Sequence, residues 1–377
     1  MIYKEFKDLQ LSALGLGAMR LPVHQGDFSQ IDVAATEEMV AYAMAQGVNY
    51  YDTAWGYHEG NSEIVLGRAL SKYPREKYYL ADKFPGYDLA NMAKVATIFP
   101  QQLEKCGVDY FDFYLFHNVC EMNIDAYLDP KYEILPYLLD QQAQGRLSHL
   151  GFSAHGSCDV MRRFLEAYGE KMEFCQIQLN YLDWQFQDAK AKAELLAEYH
   201  IPLWVMEPLR GGQLCSLAPE DVAELKELRP QETIPGWAFR FLQSIPNVTV
   251  VLSGMSNFQQ LTENISTFTT EQPLNDRETE ALLAIADKMV QETALPCTAC
   301  RYCVSHCPQK LDIPALLSLY NEDSVTKGGF IAPMALSALA PEKRPSACVA
   351  CGSCEEVCPQ QIKVSEALAE LAAKTNL

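Results

Sequence analysis

Asp52-Thr53-Ala54-Trp55-Gly56-Tyr57 follows an apolar run, Val48-Asn49-Tyr50-Tyr51, that reads as a buried strand. Asp52 would then close the strand, with Tyr57 in the loop beyond it. Lys83 closes a second such run, Tyr78-Tyr79-Leu80-Ala81-Asp82-Lys83, and His117 a third, Phe111-Asp112-Phe113-Tyr114-Leu115-Phe116-His117. The steps are 31 residues from Asp52 to Lys83 and 34 from Lys83 to His117. A (β/α)8 barrel of roughly 250 residues repeats at about that interval. The spacing therefore predicts successive parallel strands of one barrel, with all three side chains at the C-terminal rim.

That set can do chemistry. A phenol ionises near pH 10 and is a poor proton donor at neutrality, but an adjacent ammonium favours the phenolate. An aspartate keeps the ammonium charged and in place. A histidine can donate a hydrogen bond to a carbonyl oxygen. Together they could protonate an oxygen while hydride reaches its carbon. Any one alone could be an ordinary rim residue, and their joint spacing is what sets them apart.

The rest of the first 290 residues fits the repeat. Residues 1–12 alternate polar and apolar and predict a hairpin closing the barrel floor. Leu14–Gly17 predicts the first barrel strand, and runs at 147–152, 174–178, 202–206 and 248–252 predict the fifth to eighth. Helical periods lie between them, at 32–46, 157–167, 187–199 and 233–243, and one more at 276–292. Alternation with eight strands favours a closed barrel over an open sheet.

The run Asp52-Thr-Ala-Trp-Gly-Tyr57-His-Glu-Gly-Asn-Ser62-Glu63-Ile-Val-Leu66-Gly67-Arg-Ala69-Leu70 resembles the signature of the aldo/keto reductases, and the likeness covers about residues 1–290. The resemblance implies a catalytic tetrad of Asp52, Tyr57, Lys83 and His117, acting on a small-molecule carbonyl or alcohol. It also implies a nicotinamide dinucleotide across the rims of the last four strands. Ser153 and Gln176 would hold the carboxamide, and Met206 would stand where an aromatic often stacks on the ring. Glu207-Pro208-Leu209-Arg210-Gly211-Gly212 would form the pyrophosphate loop. Gly254, Ser256, Gln260, Glu263 and Asn264 would line the adenosine end. Ala154-His155 replaces the asparagine that often follows the serine. Gly254 and Gln260 stand where a Lys and an Arg often clamp a 2′-phosphate. A phosphate without a cation loses its strongest contacts, which favours NAD(H) over NADP(H). No GxGxxG follows the first strand, so a Rossmann domain is not implied.

Near residue 292 the composition shifts. Cys297-x2-Cys300-x2-Cys303-x3-Cys307-Pro308 is followed by Cys348-x2-Cys351-x2-Cys354-x3-Cys358-Pro359. This resembles the two-cluster bacterial ferredoxin pattern. That resemblance implies two [4Fe–4S] clusters with exchanged fourth ligands: Cys297, Cys300, Cys303 and Cys358 on one, Cys348, Cys351, Cys354 and Cys307 on the other. Zinc sites use cysteine pairs and would leave the third and fourth cysteines of each run unexplained. The expected architecture is a (β/α)8 TIM barrel over 1–291, then a small, mostly helical ferredoxin-like domain over 292–377.

The 377 residues carry a formal net charge of −19, of which about −17 lies before residue 292. With no Lys/Arg-rich run, neither nucleic acid nor an anionic membrane is an expected partner. No leader-like start or long apolar run is apparent, so a cytoplasmic protein is expected, in which 13 cysteines call for an explanation other than disulfides. Three functional readings follow: a reductase whose clusters exchange electrons with a redox partner, an electron-transfer module that uses the barrel as a nucleotide- or partner-binding scaffold, and clusters that only brace the fold. Hydride carries two electrons and each cluster one. A flavin normally joins such steps; the sequence has no flavin motif, and a bound flavin is left open.

Overall fold

A computed structural model describes residues 1–297 and 300–377. Ten strands run in order: β1 (Tyr3–Phe6), β2 (Leu9–Ser12), β3 (Leu14–Gly17), β4 (Tyr50–Asp52), β5 (Tyr79–Phe84), β6 (Phe111–Val119), β7 (Leu147–Ala154), β8 (Cys175–Gln178), β9 (Leu203–Met206) and β10 (Val248–Ser253). β1 and β2 form an antiparallel hairpin, and β3 to β10 close into an eight-stranded parallel barrel with β10 beside β3. Every expected strand is present. The helices Val33–Ala45, Cys158–Tyr168, Ala189–Glu198, Ile234–Gln243 and Asp276–Thr293 fall where the apolar period puts them.

The hairpin closes the floor because it carries two large apolar side chains inward. Phe6 and Leu11 join Tyr50, Phe113, Phe174 and Trp204 in one buried cluster, and the Phe6 ring meets Trp204 edge-on at 5.1 Å. A filled floor leaves the opposite rim as the open end, where barrel chemistry sits.

Gly67 fixes the helix after β4. A Cβ there would lie 2.2 Å from the backbone oxygen of Cys106, so the helices Ser62–Leu70 and Val95–Cys106 touch backbone to side. Gly67→Ala should cost about 1–3 kcal/mol from overpacking, read as a lower denaturant midpoint at unchanged slope. An unchanged midpoint would mean the helices can separate freely.

The chain divides into two compact units, Met1–Glu280 and Ala281–Leu377. The division falls inside the helix Asp276–Thr293, which also contains the composition shift at 291/292. The second unit is helical, with helices Ile313–Thr326, Ile331–Ser337 and Val364–Thr375. Leu316, Leu317, Leu336, Leu368 and Leu371 form its core, and Cys297, Cys303, Cys307, Cys348 and Cys358 pack against it. Among the described residues no helix is long and apolar enough to cross a membrane.

Candidate active site and cysteine cradles

Strand register brings the three rim residues together. Asp52 on β4 stands opposite Ala81, two residues before Lys83 on β5. Lys83 stands opposite Leu115, two residues before His117 on β6. Each step up the staggered barrel is an even number of residues, so all three side chains share one face.

Lys83 is fully buried and donates to Asp52 Oδ1 at 2.6 Å and to the Thr53 carbonyl at 2.7 Å. Its ammonium also lies 5.0 Å from the centre of the Tyr57 ring. Burial pulls the Lys83 pKa down, but Asp52 and then Tyr57 outweigh it, and the net direction is up. The ammonium is therefore permanent at neutral pH. The Tyr57 phenol moves up as well. Burial raises it, and Lys83 lowers it only in part, with Asp52 adding to the rise. The sequence suggested a lowered phenol; in the structure the low dielectric outweighs the neighbouring charge. His117 is held neutral, far below its ordinary value, by burial first and then by Lys83 and His155. His155, pushed down to about 3 by burial and Lys192, is neutral as well. His117 Nδ1 is buried with no partner among the described residues. The arrangement can offer a proton from a phenol and a hydrogen bond from a neutral imidazole to one oxygen.

A second tyrosine completes this wall. The Tyr87 ring meets His117 edge-on at 5.1 Å, and its phenol is pushed up to about 12 by burial, then by Tyr57. Gly56 admits it, since a Cβ there would lie 2.4 Å from the Tyr87 hydroxyl. Sequence reading missed Tyr87; the available signal was the rim turn Pro85-Gly86 just before it.

The residues expected to hold a dinucleotide fall into three groups. Ser153 on β7 pairs directly with Gln176 on β8, and Met206 ends β9. Ser153 Oγ accepts from the Asn118 N–H at 2.8 Å, which leaves its hydroxyl proton to be donated elsewhere. Gln176 is 2% exposed, its Oε1 has no partner among the described residues, and its Nε2 meets only the Met206 sulfur at 3.5 Å. This primary amide can both donate to and accept from an incoming amide, so the donor set fits a carboxamide.

The loop after β9 is the second group. Glu207, Arg210, Gly211 and Gly212 have φ of +55°, +48°, +65° and +96°, a winding that only glycine adopts freely. Gly211 and Gly212 are exposed at its surface, while Pro208 is buried and Leu209 half-buried beneath. Arg210 turns inward: its Nε lies 3.1 Å from Asp183 Oδ1, and its side chain is 4% exposed. Asn180 and Gln178 also donate to Asp183, at 2.6 and 2.9 Å. This buried network anchors the loop from below. Its signal in the sequence is the polar set Gln178, Asn180 and Asp183 within an apolar run.

The third group follows β10. Gly254 is exposed, and Ser256 donates its N–H to Gln260 Oε1 at 2.8 Å and its hydroxyl to the Arg20 carbonyl at 2.9 Å. Glu263 is exposed and accepts from Gln259 at 2.8 Å, while buried Asn264 donates to Ser253 Oγ at 3.1 Å. The helix Phe258–Thr267 that carries them was not read from the sequence.

In the second unit the eight cysteines line two cradles. Cys297, Cys300, Cys303 and Cys358 line one, and Cys307, Cys348, Cys351 and Cys354 the other, with Val364 in the wall of both. Cys303 is raised by burial and further by the charges of Cys297, Cys300 and Cys358. Cys300 and Cys351, at matching positions of the two runs, are exposed. Among the described residues no three His, Cys, Asp or Glu side chains converge at single-ion distance. Each cradle gathers four thiols, the ligand number of one iron–sulfur cube, so the donor set fits two such cubes.

Residues 13–287 match the sequence model of the aldo/keto reductase family, and residues 296–363 match that of the 4Fe-4S dicluster domain. The chain is 24% identical over 305 residues to the NADH-specific methylglyoxal reductase of Escherichia coli (strain K12), covering 69% of this chain and 90% of that protein. It is 23% identical over 310 residues to the uncharacterized oxidoreductase YqkF of Bacillus subtilis (strain 168), covering 73% and 92%. Among solved structures, the holo form of aldo-keto reductase AKR11C1 from Bacillus halodurans matches with a TM-score of 0.63 at 22% identity, over 76% of this chain and 96% of that one. The thermostable aldo-keto reductase Tm1743 matches with a TM-score of 0.61 at 21% identity, over 76% of this chain and 100% of that one. The chain belongs to the aldo/keto reductase family and carries a 4Fe-4S dicluster domain at its C-terminal end.

Proposed function

We propose that this oxidoreductase reduces a small carbonyl compound with a nicotinamide cofactor and that its two [4Fe–4S] clusters exchange electrons with a redox partner or a bound flavin. The observation that carries the reductase reading is the buried Lys83, shared by Asp52 and Tyr57 beside a neutral His117. Tyr57 donates the proton to the carbonyl oxygen. Lys83 stabilises the phenolate left behind, Asp52 fixes Lys83, and His117 orients the oxygen by a hydrogen bond. Ser153 and Gln176 would hold the carboxamide, loop 207–212 the pyrophosphate, and Glu263 and Asn264 the adenosine end. A nicotinamide held there supplies the hydride. The relative named for NADH specificity supports NAD(H), as do Gly254 and Gln260 at the expected phosphate clamp.

Ligation of the clusters follows the two cradles: Cys297, Cys300, Cys303 and Cys358 around one cube, Cys307, Cys348, Cys351 and Cys354 around the other. The electron-transfer reading is favoured by the exposed Cys300 and Cys351, which give each cube an edge at the surface. On the domain boundary, we take 1–291 as the catalytic unit and 292–377 as the cluster unit.

Anaerobically purified protein should oxidise NADH in the presence of a small ketoaldehyde or aldehyde, and faster than NADPH at equal concentration. Absence of carbonyl-dependent oxidation of either cofactor across a broad panel, in protein with full iron content, would remove the reductase reading and leave the electron-transfer module. Faster turnover with NADPH would reverse the cofactor preference alone.

A further inference from the structure

We propose that His58 is a positioning residue for the general acid: its buried ring locks the left-handed turn that presents Tyr57. The proposal rests on the reductase reading above and adds a residue with no role in the tetrad. Tyr57 opens the short turn Tyr57–Gly60. The two residues after it, His58 and Glu59, have φ of +52° and +55°. Neither is glycine, so both hold a conformation that L side chains enter sparingly and that persists only where the surroundings impose it. The Tyr57 N–H donates to the Ala54 carbonyl at 3.1 Å, and the Asn61 N–H to the His58 carbonyl at 3.1 Å. These bonds shape the turn but join only residues of the same short segment.

The His58 ring ties the turn to the next strand's loop. It is fully buried, and both of its nitrogens engage backbone of the segment after β3, the strand that pairs with β4. The Phe28 carbonyl can only accept, so Nδ1 carries the proton and donates it at 2.7 Å. Nε2 is then bare and accepts from the Leu21 N–H at 3.1 Å. Burial keeps the ring's pKa below its ordinary value, so at neutral pH both bonds stand. Phe28 stacks on the ring, with centres 4.1 Å apart and planes 18° from parallel. The segment is itself closed by an antiparallel bridge between Val23 and Ile31, and Asn61, just past the turn, donates to its Ser29 carbonyl at 3.2 Å. A glycine at position 58 would take the left-handed winding freely. The histidine therefore brings the ring, and the two bonds of the ring fix where the adjoining Tyr57 presents its phenol to Lys83 and His117.

His58→Gly deletes the ring and leaves the winding unstrained, which isolates the ring as the cause of any loss. Single-turnover reduction of a small ketoaldehyde by NADH, in full-length anaerobic protein below its melting temperature, is the measurement. His58→Gly should slow it by about ten- to a hundredfold, the loss expected when a reacting group is misplaced by about an ångström. Because the ring acts through Tyr57, adding His58→Gly to Tyr57→Phe should cost no more than about twofold beyond Tyr57→Phe alone. A role in packing alone would not produce that non-additivity. If His58→Gly does not fold, His58→Asn decides by the same two comparisons, since asparagine tolerates the left-handed region and is too short to make both bonds of the ring. A parent rate in the single variant, or a full further loss in the double variant, overturns the proposal. If Tyr57→Phe itself keeps the parent rate, the assignment of the acid falls and this one falls with it. A strong Tyr57→Phe effect beside a parent-like His58→Gly removes this one alone.

Discussion

Replacing Tyr57 with phenylalanine should lower carbonyl reduction by at least about a hundredfold, the low end for loss of a general acid. The substitution removes one oxygen and keeps the ring, so the edge-on packing on His117 at 6.1 Å and the ammonium over the ring survive. Lys83→Met is a poorer probe. It strands the buried Asp52 carboxyl without its partner, a defect that costs about 3–5 kcal/mol of stability and blurs any kinetic reading. The pH profile gives a second check with a definite sign. A donor works only while protonated, and the Tyr57 phenol is raised by burial beyond what Lys83 takes back. The rate of reduction should therefore stay level through neutral pH and fall only above the ordinary phenol range. His117 adds no acidic limb near pH 6.5, because burial and Lys83 hold it neutral far below that value. A Tyr57→Phe protein with the parent kcat/KM would dismiss the phenol as the acid. A limb near pH 6.5 would mean that His117 titrates during turnover.

Strand order and the alignment of Asp52, Lys83 and His117 were readable because both rest on period and spacing, which sequence records directly. The even offsets between neighbouring strands are a consequence of barrel stagger and needed only the repeat length to anticipate. Side-chain direction within irregular loops is not recorded in that way. Arg210 belongs to a loop that was recognised, yet its guanidinium points to Asp183, a partner 27 residues away that no local pattern names. Tyr87 meets the site from the loop after β5, and its neighbours there come from other strands and follow only from closure of the barrel. The net rise of the Tyr57 phenol was also out of reach. It depends on how much water the site excludes, which is a property of the assembled rim and not of the residues' charges.

The cluster unit allows a test that separates two ligand assignments by counting iron. Read in sequence order, each run of four cysteines would hold one cube. The cradles pair them differently, with Cys358 facing Cys297, Cys300 and Cys303, and Cys307 facing the second run. A two-cluster protein should contain about eight irons per chain. The double variant Cys297→Ala/Cys358→Ala removes two ligands from one cradle and none from the other. It should keep about four irons and the spectrum of one intact cube. The double variant Cys348→Ala/Cys358→Ala removes one ligand from each cradle, and should damage both cubes, with electron paramagnetic resonance signals of incomplete clusters and no intact one. Sequence-order ligation predicts the reverse pair of outcomes, because Cys348 and Cys358 would then share a cube. Stoichiometric zinc in the parent would dismiss both. The exchanged arrangement also has a consequence for electron flow. Cys354 of one cradle is raised to about 11 by burial, with Cys303 of the other among the charges that act on it, and Val364 stands in both walls. Cubes bound in these two cradles would share a wall at Val364, so reduction of the parent should yield coupled rather than independent paramagnetic signals. The variant that keeps one cube should give a simple, uncoupled signal.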